Sequence, residues 1–229
     1  MGEAVRLLVW GAGGHGRVVA ELAELSGHVV VGFVDRAPAP AARSAAHTPI
    51  AEDVLLEALE RGGHLPLEAD AVALGLGDNA ARSRAASALG DRLSAPLVHP
   101  AATVSRDARL GQGSAVMAGA IVNPGARAER IVIVNSGAIV EHDCRLGEAA
   151  HVSPGAVLAG GVRLGARSWV GARAVVLPGI VVGREATVGA GAVVTADVGD
   201  GVTVVGVPAR PTRGSELAQP PLPPALQAS

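Results

Sequence analysis

One histidine in this chain stands between two carboxylates, in the run Val140-Glu141-His142-Asp143-Cys144. An imidazole with a carboxylate partner has a fixed tautomer and is strengthened as a base, which suits proton abstraction near neutral pH. The plainer reading is an exposed surface histidine, and the five residues alone leave both open. A second stretch with chemical potential lies near the N-terminus. The apolar run Val5 to Trp10 leads into GAGGHG, Gly11 to Gly16. An amphipathic segment follows over Arg17 to Leu25, then a second apolar run, His28 to Val34, closed by Asp35. This reads as strand, glycine loop, helix, strand, acidic residue. Glycines let a backbone approach a diphosphate closely, and amides at a helix N-terminus bind it. The alternative is a tight turn with no ligand.

The histidine belongs to a repeat that must position it. From Val98 to Val194 every sixth residue is aliphatic, with Ala128 the smallest. Four residues after each comes a small or β-branched side chain, from Ala102 through Cys144 to Val198. A helix cannot use that step, because six residues advance about 600° around its axis. A parallel β-solenoid can: a short strand carries the large aliphatic inward, a tight turn follows, and the small residue fills the next corner. His142 then falls at a turn, pointing away from the core.

The glycine loop belongs to a shorter α/β unit. Ala51–Arg61 reads as a helix with Leu55, Leu56 and Leu59 on one face, and Asp70–Leu76 as a buried strand. Gly77-Asp78-Asn79 then leads into a helix over Ala80–Leu89, with Asn79 able to cap it. Fewer than about 100 residues precede the repeat, whereas a full dinucleotide fold uses two such halves. The glycine loop therefore suits a mononucleotide diphosphate better than NAD, and an NAD-dependent oxidoreductase is the weaker reading. The segment Arg36 to Pro49 and the Pro-rich tail from Pro211 to Ser229 read as a mobile loop and a disordered tail. The expected organisation is 1–97, 98–210 and a tail over 211–229.

Composition narrows the classes. Basic and acidic residues nearly balance, 19 against 21, for a net charge of −2, with no basic run to suit nucleic acid. A single cysteine, Cys144, excludes an intrachain disulfide, and its small inward slot favours packing over reactivity. No apolar run is long enough to cross a membrane and no signal peptide is legible, so a cytoplasmic protein is expected.

The repeat resembles that of the hexapeptide-repeat acyltransferases, whose hexads form a left-handed β-helix with three hexads per coil. The run NSGAIVEHDCRLGEAAHVSPGAVLAGGV, Asn135 to Val162, combined with GAGGHG, resembles bacterial sugar acetyltransferases that couple a nucleotide-sugar domain to such a helix. Those include the acetyltransferase of bacillosamine synthesis and the sialic acid O-acetyltransferase group. The segment VGVPAR, Val205 to Arg210, resembles the one that closes these helices. The fold class implied is a Rossmann-like α/β half domain followed by a left-handed parallel β-helix. The cofactor implied is acetyl-CoA as co-substrate, without a metal, in an enzyme of cell-surface polysaccharide biosynthesis. By that resemblance His142 is the general base, Asp143 supports it and Asn135 is an active-site amide. His151 contacts acetyl-CoA, Gly160 donates to the thioester carbonyl, and Ala172 and Ala190 meet the cofactor through their backbones. Gly13, Gly14, His15, Asp35, Arg36 and Gly77 fall at nucleotide-sugar contacts. Arg36 departs from the acidic residue that bacillosamine enzymes carry, which leaves nucleotide and sugar open.

Three hexads per coil stack residues 18 apart, so Gly160 lies about 4.8 Å along the axis from His142. His151 falls on a different face, roughly 15 Å away within one chain. A site using both histidines needs a neighbouring chain, which points to an oligomer, and the family's trimers agree. The expected activity is acetyl-CoA-dependent N-acetylation of a nucleotide-linked 4-amino sugar, with O-acetylation of a sialic acid-like sugar as the alternative. A metal-dependent hydratase on the same helix would need about three clustered histidines. His99, His142 and His151 are too widely spread for that. A non-catalytic sugar-binding protein is the remaining class.

Overall fold

The computed structural model describes residues 4–36 and 49–212. Positions 37–48 and 213–229, where the loop and most of the tail were expected, lie outside the described residues. The chain divides after Leu97 into two compact units.

In the first unit, β1 (Arg6–Trp10), α1 (Gly14–Leu25), β2 (Val29–Asp35), β3 (Ile50–Ala51), α2 (Glu52–Glu60), β4 (Ala71–Leu74) and α3 (Asn79–Leu89) follow one another. The four strands pair in parallel in the order β3-β2-β1-β4. Leu7, Leu8, Val9, Val72 and Ala73 are buried, the continuous apolar run that a sheet covered on both faces demands. The chain turns one way from β1 to β2 and β3 and then crosses to the far side of β1 for β4. The order therefore reverses between β1 and β4, and ligands of open α/β sheets bind at that point, beyond the carboxyl ends of the strands.

Several local expectations need correction. Helix α1 begins at Gly14, inside the glycine motif, and not at Arg17. The cap of α3 is Asp78, whose Oδ1 accepts from the Ala81 amide at 2.6 Å. Asn79 is instead the first helical residue and is buried. Asp78 has the extended backbone of a cap, whereas Asn79 is already helical, so the capping oxygen comes from Asp78. Of the three leucines expected on one face of α2, Leu55 is buried but Leu56 is exposed, because the helix packs along a narrow stripe. The strand β4 covers only the middle of the run 70–76.

The second unit is a left-handed parallel β-helix of hexapeptide repeats. Two-residue strands recur every six positions and pair with those 18 residues away, as Ile133 does with His151 and Ile139 with Val157. Three flat sheets of five, six and eight strands form the sides. The inward aliphatics Val116 to Val194 and the small corner residues Ala120 to Ala192 make one continuous buried cluster. The outer faces differ. One column reads Arg109, Arg127, Arg145, Arg163; we call its sheet the arginine face. Another reads Ile121, Ile139, Val157, Val175, Val193, each half-buried; this is the aliphatic face. The third carries His151 paired with Ile133 and Trp169, the histidine face. A short antiparallel hairpin, Thr203–Val205 with Arg210–Pro211, closes the top. Pro211 and Thr212, expected in the tail, are ordered there: Pro211 pairs with Val204, and Thr212 donates to the Thr203 carbonyl.

Candidate active site

Two constellations stand at the two edges of the aliphatic face. At the corner leading to the arginine face sit His142 and Asp143, with His142 Nδ1 2.9 Å from Asp143 Oδ2. An ionised carboxylate only accepts, so Nδ1 carries the proton and Nε2 offers its lone pair. Asp143 holds a left-handed backbone, φ 61°, at a turn position that glycine fills elsewhere (Gly119, Gly137, Gly155). Aspartate tolerates that region better than most residues. Glycines bracket the pair along the axis. A Cβ on Gly125, one coil away, would lie 2.5 Å from Asp143 Oδ1, and a Cβ on Gly160, one coil in the other direction, 2.5 Å from His142 Nε2. Any larger residue at either position would push the dyad out of line. The backbone ties the corner down too: Gly161 N donates to His142 O, and Asp143 N to Pro124 O. The Gly160 carbonyl accepts from Gly179 N, while its amide meets no acceptor among the described residues. Glu141, the other flanking acid, does not join His142: its Oε2 takes a bond from Asn123 Nδ2 at 3.0 Å.

At the corner between the histidine face and the aliphatic face, Asn135 Nδ2 lies 3.1 Å from His151 Nε2. Pro154, Ala172 and Ala190 stack above Ser136 in the same column, joined by Gly155 N to Ser136 O, Arg173 N to Pro154 O and Gly191 N to Ala172 O. The expected site residues of the helix therefore fall into two groups: His142, Asp143 and Gly160 at one corner; Asn135, His151, Ala172 and Ala190 at the other. Cys144 is fully buried, its Sγ donating to the Ala159 carbonyl, and burial pushes its thiol up to about 11. A neutral thiol facing the core is no nucleophile. Among the described residues, no group of three or more His, Cys, Asp or Glu could hold a metal ion.

The first unit contributes the point between β1 and β4 where the strand order reverses. Two loops flank it, the glycine loop and the loop Gly75–Asp78. Their glycines divide into two kinds. A Cβ on Gly11 would strike Gly75 O, one on Gly75 would strike Gly16 Cα, and one on Gly16 would strike Gly11 O. These three exist so that the two backbones can touch. Gly14 and Gly77 have nothing within 4 Å of where a Cβ would be, so they face open space. Gly13 caps α1 without a side chain, leaving the helix N-terminus bare. Asp35 holds the loop: Oδ2 accepts from the Ala12 amide at 2.8 Å and Oδ1 from Arg36 N. Arg36 reaches Glu52, which also accepts from the Trp10 indole. His15 is largely buried, and burial, with help from the Arg82 charge, lowers its pKa to about 4.

The fold, an α/β unit with a glycine loop ahead of a hexapeptide helix that carries a histidine corner, defines the hexapeptide-repeat acyltransferase class. Residues 6–89 match the family described as the PglD N-terminal domain, and residues 161–196 match the hexapeptide repeat of succinyl-transferase. No curated protein matches in sequence. Among solved structures, the acetyltransferase domain of PglB from Neisseria gonorrhoeae is 41% identical, with a TM-score of 0.80 over 90% of this chain and 99% of that one. A further structure of that domain holds acetyl coenzyme A. A histidine-to-alanine mutant of GDP-perosamine N-acetyltransferase from Caulobacter crescentus, in complex with CoA and GDP-perosamine, is 36% identical. Its TM-score is 0.82 over 91% of this chain and 97% of that one. The chain belongs to this family of nucleotide-sugar N-acetyltransferases. Among the described residues no helix is long and apolar enough to cross a membrane.

Proposed function

We propose that the chain transfers the acetyl group of acetyl-CoA to the amino group of a nucleotide-linked 4-amino sugar, with His142 as the general base. The observation that carries this reading is the dyad: Nδ1 engaged by Asp143, Nε2 left basic, and the Gly160 amide one coil away. The sugar amine attacks the thioester carbonyl carbon while Nε2 takes its proton. The oxyanion that forms accepts a hydrogen bond from the Gly160 amide. As the carbon–sulfur bond breaks, the proton on Nε2 passes to the CoA sulfur, and amide and free CoA leave. Buried Cys144 takes no part, so no acyl-enzyme forms. The crevice at Gly13, Gly14, His15 and Gly77 holds the nucleotide diphosphate against the bare N-terminus of α1.

The working unit is a homotrimer packed through the aliphatic face. Burying Ile121, Ile139, Val157, Val175 and Val193 is favourable, whereas burying the arginine column would strip four cations of water. The two site groups flank this face. A three-fold arrangement can therefore bring the His142 corner of one copy to the His151 corner of the next. Measuring CoA release against a panel of UDP-, GDP- and dTDP-linked amino sugars tests the reading. Acetylation of one amine at a rate that falls with His142→Ala supports it. No acetyl-CoA-dependent product across the panel overturns it.

A further inference from the structure

Beneath the nucleotide crevice lies a cation that the reaction does not use. Arg82, on the second turn of α3, is fully buried, with no surface exposed to solvent. Its Nη1 donates to the carbonyls of Leu76 and Gly77, each at 3.1 Å, and its Nη2 to Asn79 Oδ1 at 2.8 Å. Those carbonyls belong to the wall of the crevice that carries Gly77. Burial lowers the Arg82 pKa to about 9, with Asp78 pulling the other way, and the group stays cationic at neutral pH. Its field reaches His15 on the facing loop and adds to the burial that keeps that imidazole uncharged. His15 Nε2 is shielded from solvent and has no hydrogen-bond partner among the described residues. A buried nitrogen with no bond made is costly unless something supplies the partner. The other charges near these loops are committed: Asp35 to the Ala12 amide, and Asp78 to the Ala81 amide.

We propose that Arg82 is a positioning residue for the nucleotide-sugar site: it fixes the Leu76–Gly77 wall from below, through the two carbonyls and Asn79. This deepens the proposed function and rests on it for the identity of the ligand. A buried arginine spends desolvation energy, and the structure keeps it where two walls of a binding crevice meet. The two arms of the fork hold different partners, Nη1 the carbonyls of Leu76 and Gly77 and Nη2 Asn79 Oδ1, and a lysine's single ammonium cannot hold both arms in that plane.

The test uses full-length protein, with UDP, GDP and dTDP as calorimetric probes and acetyl-CoA as the control ligand. Arg82→Lys keeps the charge and loses the fork. It should bind the tightest of the three probes about tenfold more weakly, the range expected for losing charged hydrogen bonds. Acetyl-CoA affinity should not change. Arg82→Met should weaken the probe further. Should the methionine variant fail to fold, the lysine variant alone decides. A folded variant that binds the probe like wild type overturns the proposal, as does equal weakening for acetyl-CoA. If wild-type protein binds none of the three nucleotides, the functional reading is what fails. Hydrogen exchange of the Gly75–Asn79 amides in Arg82→Lys then judges the positioning role alone, and unchanged protection overturns it.

Discussion

A β-carbon on Gly160 would lie 2.5 Å from Nε2 of His142, one coil away in the solenoid. His142 and the residue stacked against it are therefore one unit: the imidazole occupies the space that only glycine leaves. Gly160→Ala should displace the ring and lower kcat nearly as far as His142→Ala, which is expected to cost about 10²–10⁴-fold. Acetyl-CoA should still bind the His142→Ala protein. Steady-state kinetics and calorimetry check both, and activity of either variant within a few-fold of wild type would remove the dyad from the mechanism.

In the proposed mechanism Asp143 acts on the histidine and not on the substrate, since its Oδ2 lies 2.9 Å from His142 Nδ1. Asp143→Asn presents an amide that can turn either its oxygen or its nitrogen to Nδ1, so the tautomer with Nε2 free is no longer enforced. A loss of kcat of about tenfold or more is expected, smaller than that of His142→Ala, with little change in either KM. A loss as large as that of His142→Ala would mean a direct role for the carboxylate.

The glycines of the first loop should separate by effect. Gly14→Val adds a side chain to open space and should raise the nucleotide-sugar KM while leaving the acetyl-CoA KM and the melting temperature near wild type. Gly16→Ala drives a methyl into the Gly11 carbonyl oxygen and should destabilise the unit by about 1–3 kcal/mol. Equal melting temperatures for the two variants would contradict this division.

Val157→Glu places a carboxylate in the middle of the aliphatic face. If that face joins three copies, each trimer gains three uncompensated buried charges, at about 3 kcal/mol or more apiece. Sedimentation should then show monomers with little activity, while Arg145→Glu on the arginine face leaves the trimer intact. Mixed, reassembled His142→Ala and bulky His151→Trp proteins should recover part of the activity. Hybrids that form without recovery would put each site within one chain.

The neutral, buried His15 predicts an acid-sensitive first unit. Its folded pKa of about 4 lies below the ordinary 6.5, so as pH falls the unfolded chain takes up the proton first. The stability His15 contributes is whole above pH 6.5 and is lost between 6.5 and about 4, at most about 3 kcal/mol. Urea unfolding in a Trp169→Phe background, which leaves Trp10 as reporter, should show this slope, and His15→Asn should remove it. An unchanged slope in His15→Asn would assign the acid limb to other groups.

The solenoid was legible in the sequence because each hexad closes its own turn and offers its own inward aliphatic. Periodicity from Val98 to Val194 reports local geometry repeated, with no distant contact needed to recognise it. The glycine loop and the acid at the end of β2 were legible for the same reason. The columns Arg109 to Arg163 and Ile121 to Val193 were also written there, at a period of 18. They carry meaning only once the coil length is known, because that sets which residues become neighbours. Contacts between segments were decided by the tertiary structure alone. It made Gly11, Gly16 and Gly75 a packing contact and left Gly14 and Gly77 open, a division no motif encodes. It turned Glu141 to Asn123, one coil away, and left His142 to Asp143, the partner that the family resemblance implied. It gave the α3 cap to Asp78 and buried Asn79 with Arg82, a cation that composition alone assigns to the surface. Whether a charge is solvated or buried depends on what the rest of the chain packs around it, and for Arg82 that is the wall of the crevice it supports.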